Sequence, residues 1–235
     1  LIDHDATLAV LQSPGVTERL LGRTFVQLAV GGAEQALVLQ EHVTGAGADY
    51  LGGHLRAYPR QVGTEEAELV VCGGQVALDR HRHVLSALGR VRYVGSDVVL
   101  ASHLVNCQAV LLETIVVGFH ECLAAARARG ASPEEVVAGL EQTFVVARRT
   151  ISDTVDHLRD EPDGLVCSRQ AAIDVHAAGM SALLASVAGT GVRSDLGRAT
   201  LAILDMARDR GLGAYEISAL QVVLQQSPPS RLRST

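Results

Sequence analysis

The sequence predicts an α/β region followed by an all-α region, on three observations. Four short apolar runs, Thr24–Val30, Asp49–Leu55, Glu68–Cys72 and Arg90–Val94, alternate with segments of helical spacing over the first 95 residues. From Val98 to Arg129 there is no proline and a single glycine, and apolar residues recur at helical spacing on more than one face. Beyond Gly130 the remaining patterns are helical.

Taken in order, residues 6–12 and 16–22 have helical spacing and are broken by Ser13-Pro14-Gly15. The run Thr24–Val30 reads as a buried strand, and residues 33–43, with Ala33, Ala36, Leu37, Val38 and Val43, as a helix. Gly45 and Gly47 fall where that helix ends, which assigns them to a left-handed C-cap leading into the strand Asp49–Leu55. A polar loop through Pro59 and Gly63 precedes the strand Glu68–Cys72, helix 75–88 and strand Arg90–Val94. After Gly95-Ser96-Asp97 comes one helix of about thirty residues, long enough to bridge two domains. Ser132, Pro133 and Glu135 form a helix start signal, an N-cap with its capping-box partner. Helices are expected at 134–159, 166–187, 195–210 and 214–226, before a polar tail. The resulting domains are 1–96, an interdomain helix at 97–130, a helical domain at 131–226 and a tail at 227–235.

Composition narrows the function. A chain of 235 residues with 48% apolar content can bury a sizeable core. A net charge of −6 and 3% aromatic residues argue against a nucleic-acid surface, which needs a basic stripe and stacking rings. His103, Asn106, Gln108 and Glu113 interrupt the most apolar stretch, so no membrane partner is expected. Cys72, Cys107, Cys122 and Cys167 show no C-x-x-C spacing, and the apolar neighbours of three of them suggest buried thiols in a reducing, cytoplasmic compartment. His81 and His83, two apart on a helix, diverge and cannot share a metal, and both are expected in solvent. No metal site is predicted, and a small-molecule partner is.

Gly45-Ala46-Gly47 begins like a dinucleotide fingerprint, G-x-G-x-x-G, but the sixth position is Tyr50 and the glycines follow a helix where the fingerprint must follow a strand. The wider segment is more specific. "GADYLGGHLRAYPRQVGTEEAELVVCGG" (Gly47–Gly74) followed by "RHRHVLSALGRVRYVGSD" (Arg80–Asp97) resembles the imine reductases, relatives of the β-hydroxyacid dehydrogenases. Likeness continues through "GFHECLAAARARGASPEEV" and "AAGMSALLASVAGTGV", so the resemblance covers nearly the whole chain.

The resemblance implies a partial Rossmann-like domain, the long interdomain helix and a helical C-terminal domain, paired as an intertwined homodimer. It implies hydride transfer from NADPH to an imine or iminium carbon of a small substrate, cyclic intermediates of secondary metabolism included. About sixty to seventy residues carrying the glycine fingerprint have no counterpart here, so NADPH is expected only if such a segment precedes Leu1. Leu1, Asp3, Ala29 and Val30 match strand ends that face the coenzyme. Early on the long helix, Val105 stands where the family places a key polar residue, and His103 and Asn106 beside it, with the loop residue Tyr58, are the candidate catalytic groups. Arg56, Phe119, His120, His176 and Met180 are the candidate substrate pocket. The alternative is a redox-inactive relative that binds or cyclises a biosynthetic intermediate in the dimer cleft.

Overall fold

The computed structural model describes residues 2–29 and 31–225. The chain divides into two compact units, Leu1–Thr114 and Ile115–Thr235.

The first unit is built on four strands, β1 (Thr24–Gln27), β2 (Asp49–Arg56), β3 (Glu68–Gly73) and β4 (Arg90–Tyr93), in that spatial order. β1 pairs parallel to β2, β2 antiparallel to β3, and β3 parallel to β4. Side chains alternate across the sheet, as strand geometry requires. Tyr50 and Cys72 enter one core cluster, while Leu51, Leu69 and Val71 enter another. Helices α1 (His4–Leu11) and α2 (Ala33–Gly45) cover the first face, supplying Leu11, Leu39 and Val43, and α3 (Gln75–Leu85) covers the second with Ala77, Leu78 and Leu85. Burying a leucine as completely as Leu39, Leu51, Leu69 or Leu78 is worth about 1.5–3 kcal/mol each.

The long helix α4 (Val98–Arg127) starts on Asp97, whose Oδ1 accepts hydrogen bonds from the Val99 and Leu100 amides at 2.9 and 3.0 Å. Its buried residues are Val98, Ala101, Ser102 and Val105, the spacing of a single helical face. Val98 and Ala101 join the core cluster under β2 and β3.

In the second unit, α5 (Pro133–Ala138) opens on a capping box: Ser132 Oγ accepts from the Glu135 amide and Glu135 Oε2 from the Ser132 amide, at 3.2 and 2.7 Å. α6 (Leu140–Asp160), α7 (Ile173–Ala188), α8 (Asp195–Asp209) and α9 (Leu220–Leu224) follow. The unit's core cluster joins Ile173 and Ala177 of α7, Leu204 and Ala207 of α8, and Leu212, Ala219, Val222 and Val223. α6 buries none of its residues, and Phe144, Val145, Val146, Ile151 and Val155 on it are each more than half exposed.

Several expectations need correction. The helix read at 134–159 breaks at Gly139. Residues 166–172 are not helical, because Cys167 and Ala172 form β-bridges to Tyr215 and Glu216. The last segment is helical only over Ile217–Ala219 and α9, and residues 16–22 only over the turn Thr17–Arg19. Gly47 takes φ 76°, but Gly45 completes the last turn of α2. Cys72 is buried, whereas Cys107 and Cys122 on α4 are exposed, since apolar neighbours in sequence do not decide which face of a helix a thiol occupies; Cys167 is exposed as well. His81 is half-buried with Nε2 3.0 Å from Thr24 Oγ1. By length and composition α4 is apolar enough to cross a membrane, its polar residues notwithstanding, which for one helix is weak evidence. The expected tail at 227–235 lies outside the described residues.

One buried carboxylate ties the second unit's loop to its core. Glu216 Oε1 accepts from the amides of Arg169 and Gln170 and from Ser168 Oγ, at 2.7, 3.1 and 3.1 Å. Burial pushes its pKa up, but these hydrogen bonds outweigh burial and hold it below the ordinary glutamate range. A carboxyl depressed in the folded state stabilises fully above its unfolded pKa of about 4.3 and loses that contribution as pH falls through the folded value. Glu216→Ala is expected to cost about 2 kcal/mol or more in denaturant unfolding at neutral pH. Glu216→Gln is expected to flatten the acid limb of stability against pH; an unchanged limb would contradict this account.

Candidate active site

The chemistry gathers at the carboxyl ends of the parallel strands β1 and β2. Gln27, the last residue of β1, is buried; its Nε2 donates to Thr7 Oγ1 at 2.9 Å and its Oε1 accepts from the Ala29 amide at 3.2 Å. The chain then turns through Gly31 and Gly32 into α2, and Gln35 Oε1 accepts from the Gly32 amide at 2.9 Å. Gly31 is required by contact: a Cβ there would lie 2.1 Å from His4 Nδ1. Asn106 Nδ2 on α4 donates to the Gly31 carbonyl at 3.2 Å, fixing this turn to the long helix.

Behind the turn lies a cavity of about 10 Å³ lined by His4, Tyr50, His54, Cys72, Ser102 and Val105 among others. That is room for about one water molecule. His4 Nδ1 and the Tyr50 hydroxyl are buried there with no hydrogen-bond partner among the described residues. Burial lowers the His4 pKa and outweighs the nearby backbone of Ala29 and Gly32 and the carboxylates of Asp5 and Asp3, which favour the charged ring. Burial likewise lowers His54, helped by its neighbour His4, and pushes the Tyr50 phenol up. The Cys72 thiol rises to about 11, chiefly through burial. All four groups are therefore uncharged near neutral pH.

An open cleft of about 750 Å³ lies beyond this cavity, between the end of β2, the loop after it and α4. Its walls include His54, Arg56, Tyr58, Glu66, Glu68 and Arg90 on the sheet side and Val105, Ala109, Leu112 and Glu113 on the helix. His54 and Val105 line both the cavity and the cleft. Glu68 holds Arg56, Arg90 and Arg92 at 3.3, 3.5 and 3.1 Å. Partial burial raises the Glu68 pKa, yet Arg92 first, then Arg56 and Arg90, bring it below the ordinary range.

The sequence-derived candidates scatter. Arg56 and Tyr58 line the cleft; Arg56 also donates to Gln108 Oε1 at 3.1 Å, and Tyr58 is 62% exposed. Asn106 serves the Gly31 turn, whereas His103 is exposed and lines neither space, the inward positions being Ser102 and Val105. Asp3 caps α1, its Oδ1 accepting from the Ala6 amide at 2.8 Å, and Ala29 is half-buried beside Gln27. Leu1 and Val30 lie outside the described residues. In the second unit, the Phe119 and His120 rings lie 5.5 Å apart, His176 is half-buried and Met180 packs on the core cluster. His4 and His54 were missed; the strand alternation that buries Tyr50 places Gly52 and His54 on the same face, and this was the available signal.

No family model matches the chain. An imine reductase from Myxococcus stipitatus solved with NADP+ superposes with TM-score 0.85 at 26% identity, covering 96% of this chain and 78% of that one. A putative oxidoreductase from Pseudomonas putida KT2440 gives TM-score 0.81 at 27% identity, covering 96% and 76%. An NADPH-dependent reductive aminase from Aspergillus oryzae is 35% identical over 86 residues, which is 36% of this chain and only 29% of that protein. By fold, the chain resembles these solved oxidoreductases over 96% of its length. Within that class its resemblance is to the imine reductases and reductive aminases, as the loop motifs implied.

Whether these residues fit a dinucleotide follows from the sheet. Nucleotides sit at the carboxyl edge of parallel strands. Gly45-Ala46-Gly47 precedes β2 and so lies at the opposite edge, and a Cβ on Gly47 would meet Leu21 Cδ1 at 2.6 Å. At the carboxyl edge the described residues present the β1 end, Gly31 and Gly32, and a turn for the pyrophosphate is not among them. No group of three or more His, Cys, Asp or Glu among the described residues could hold a metal.

The Gly31 contact is testable by a double-mutant cycle. Gly31→Ala is expected to destabilise by about 1–3 kcal/mol through overpacking. Adding His4→Ala is expected to recover most of that loss in thermal unfolding; full additivity of the two would mean that the new methyl group and the His4 ring do not compete for space.

Proposed function

We propose that this chain is an imine-reductase-type oxidoreductase that delivers hydride from NADPH to the carbon of a small imine or iminium substrate. The observation that carries this is the superposition of 96% of the chain on an NADP+-bound imine reductase at 26% identity, with an open cleft at the carboxyl edge of the sheet. The bound coenzyme supplies the hydride; the protein's task is to orient, exclude water and stabilise charge. On this reading the β1 end and the Gly31–Gly32 turn hold the nicotinamide side. The apolar wall of Val105, Ala109 and Leu112 receives the carbon skeleton of the substrate. Arg56 and Arg90, held by Glu68, keep the mouth of the cleft in shape.

The functional unit in this proposal is a homodimer. The apolar residues of α6 need a covering surface, and an exposed apolar face of this kind marks an association site. A second copy fits the family resemblance.

The full native chain is expected to consume NADPH when given a cyclic imine, followed by loss of reduced-nicotinamide absorbance and appearance of the amine by mass spectrometry. It is also expected to melt higher with NADPH present, by ligand linkage. Absence of both effects would overturn the reading. By sedimentation, the native protein is expected as a dimer and a Phe144→Asp, Val155→Asp variant as a monomer; a monomeric native protein would remove the dimer from the proposal.

A further inference from the structure

We propose that His54 is the receptor for the ligand's nitrogen: its uncharged imidazole accepts a hydrogen bond from the N–H of an iminium or secondary ammonium ion seated in the cleft. The inference rests on the imine-reductase reading for the identity of the ion, and on the geometry of the first unit for the residue.

His54 is set in the middle of the sheet, opposite Val70 in the β2–β3 register, so its ring is presented by a paired strand and not by a loop. It faces both the closed cavity and the open cleft. Its ring makes no hydrogen bond within the chain among the described residues, which leaves the ring nitrogens available to a ligand. Around it on the cleft side, Val105, Ala109 and Leu112 form an apolar wall suited to a carbon ring.

The cleft keeps carboxylates that arginine does not neutralise and that can face a cation. Arg56 and Arg90 are engaged by Glu68, and Glu66 accepts from Gln61 Nε2 at 3.1 Å. Glu113 on α4 lines the same cleft and has no ion pair among the described residues. Glu68 is thus taken up by Arg56, Arg90 and Arg92, and Glu66 and Glu113 are the cleft carboxylates that form no ion pair among the described residues.

On the cavity side His54 meets His4, Tyr50, Cys72 and Ser102, and no carboxylate lines that space. Asp3 and Asp5 reach His4 from outside it. A second imidazole and three uncharged groups behind the ring oppose an imidazolium at His54 and favour the neutral form, which can accept a hydrogen bond from a cation. No proton needs to cross for this role; the ligand keeps its N–H and the imidazole keeps its own.

The test uses piperidine hydrochloride, a protonated cyclic amine, and tetrahydropyran, the same ring without the N–H. Histidine-¹⁵N-labelled full-length protein is titrated without coenzyme at about pH 8, above the ordinary histidine range. The His54 ring nitrogens are expected to shift with piperidinium and not with tetrahydropyran. His54→Leu is expected to weaken piperidinium binding roughly ten-fold or more, as for a hydrogen bond to a charged group, and His54→Gln, whose amide oxygen accepts, to weaken it less. Melting curves check that both variants fold; should the leucine variant not, the glutamine variant and the wild-type titration decide. The proposal is overturned if piperidinium does not bind, if the His54 resonances do not move, if tetrahydropyran acts equally, or if folded variants bind as the wild type does. Because no coenzyme is present, this outcome is separate from NADPH turnover. Turnover with an unresponsive His54 refutes this inference alone, and a responsive His54 without turnover refutes the proposed reaction alone.

Discussion

The first two turns of the long helix lie on the sheet, and the site depends on that seat. Val98, Ala101, Ser102 and Val105 recur at intervals that leave one face of the helix buried, and Val98 and Ala101 pack in the core cluster with Tyr50 of β2 and Cys72 of β3. Both the closed cavity and the open cleft lie along this seam, because Val105 walls the two. Asn106 one residue on draws in the turn after β1. One packed helix face therefore sets the depth of the cavity, the width of the cleft and the position of the strand end that a coenzyme would face.

The cost of this arrangement is a set of polar atoms placed out of reach of water. A buried hydroxyl and a buried ring nitrogen without partners are each destabilising by about 1–3 kcal/mol, and they occur together around one small space. Clustering of such groups beside a cleft is the pattern expected where stability has been given up for function. The mouth of the cleft is built oppositely, with Glu68 bonded to three arginines in one exposed to half-exposed network.

Much of the fold was legible because strand and helix periods differ and the breaks carry glycine or proline. The four strands, the helices between them and the thirty-residue helix follow from spacing alone. Residues 166–172 depart from a helix for a tertiary reason: the bridges from Cys167 and Ala172 to the segment before α9 override a helical pattern that is locally acceptable. The site was less legible. Arg56 and Tyr58 were found through the loop motif, but His103 was favoured over Ser102 and Val105 because a polar residue draws attention, while the inward face is set by packing. His4 was invisible for a similar reason, since its neighbour Gly31 is distant in sequence and only the folded chain brings the ring against a residue that has no side chain.

The most direct measurement is a crystal structure of the full native protein with NADPH and a cyclic secondary amine bound together. The account places the amine ring against Val105, Ala109 and Leu112, with its nitrogen within hydrogen-bonding distance of the imidazole on β2 and the nicotinamide at the end of β1. Density for the ring elsewhere, with the seam between β2 and the long helix closed to it, would contradict the account.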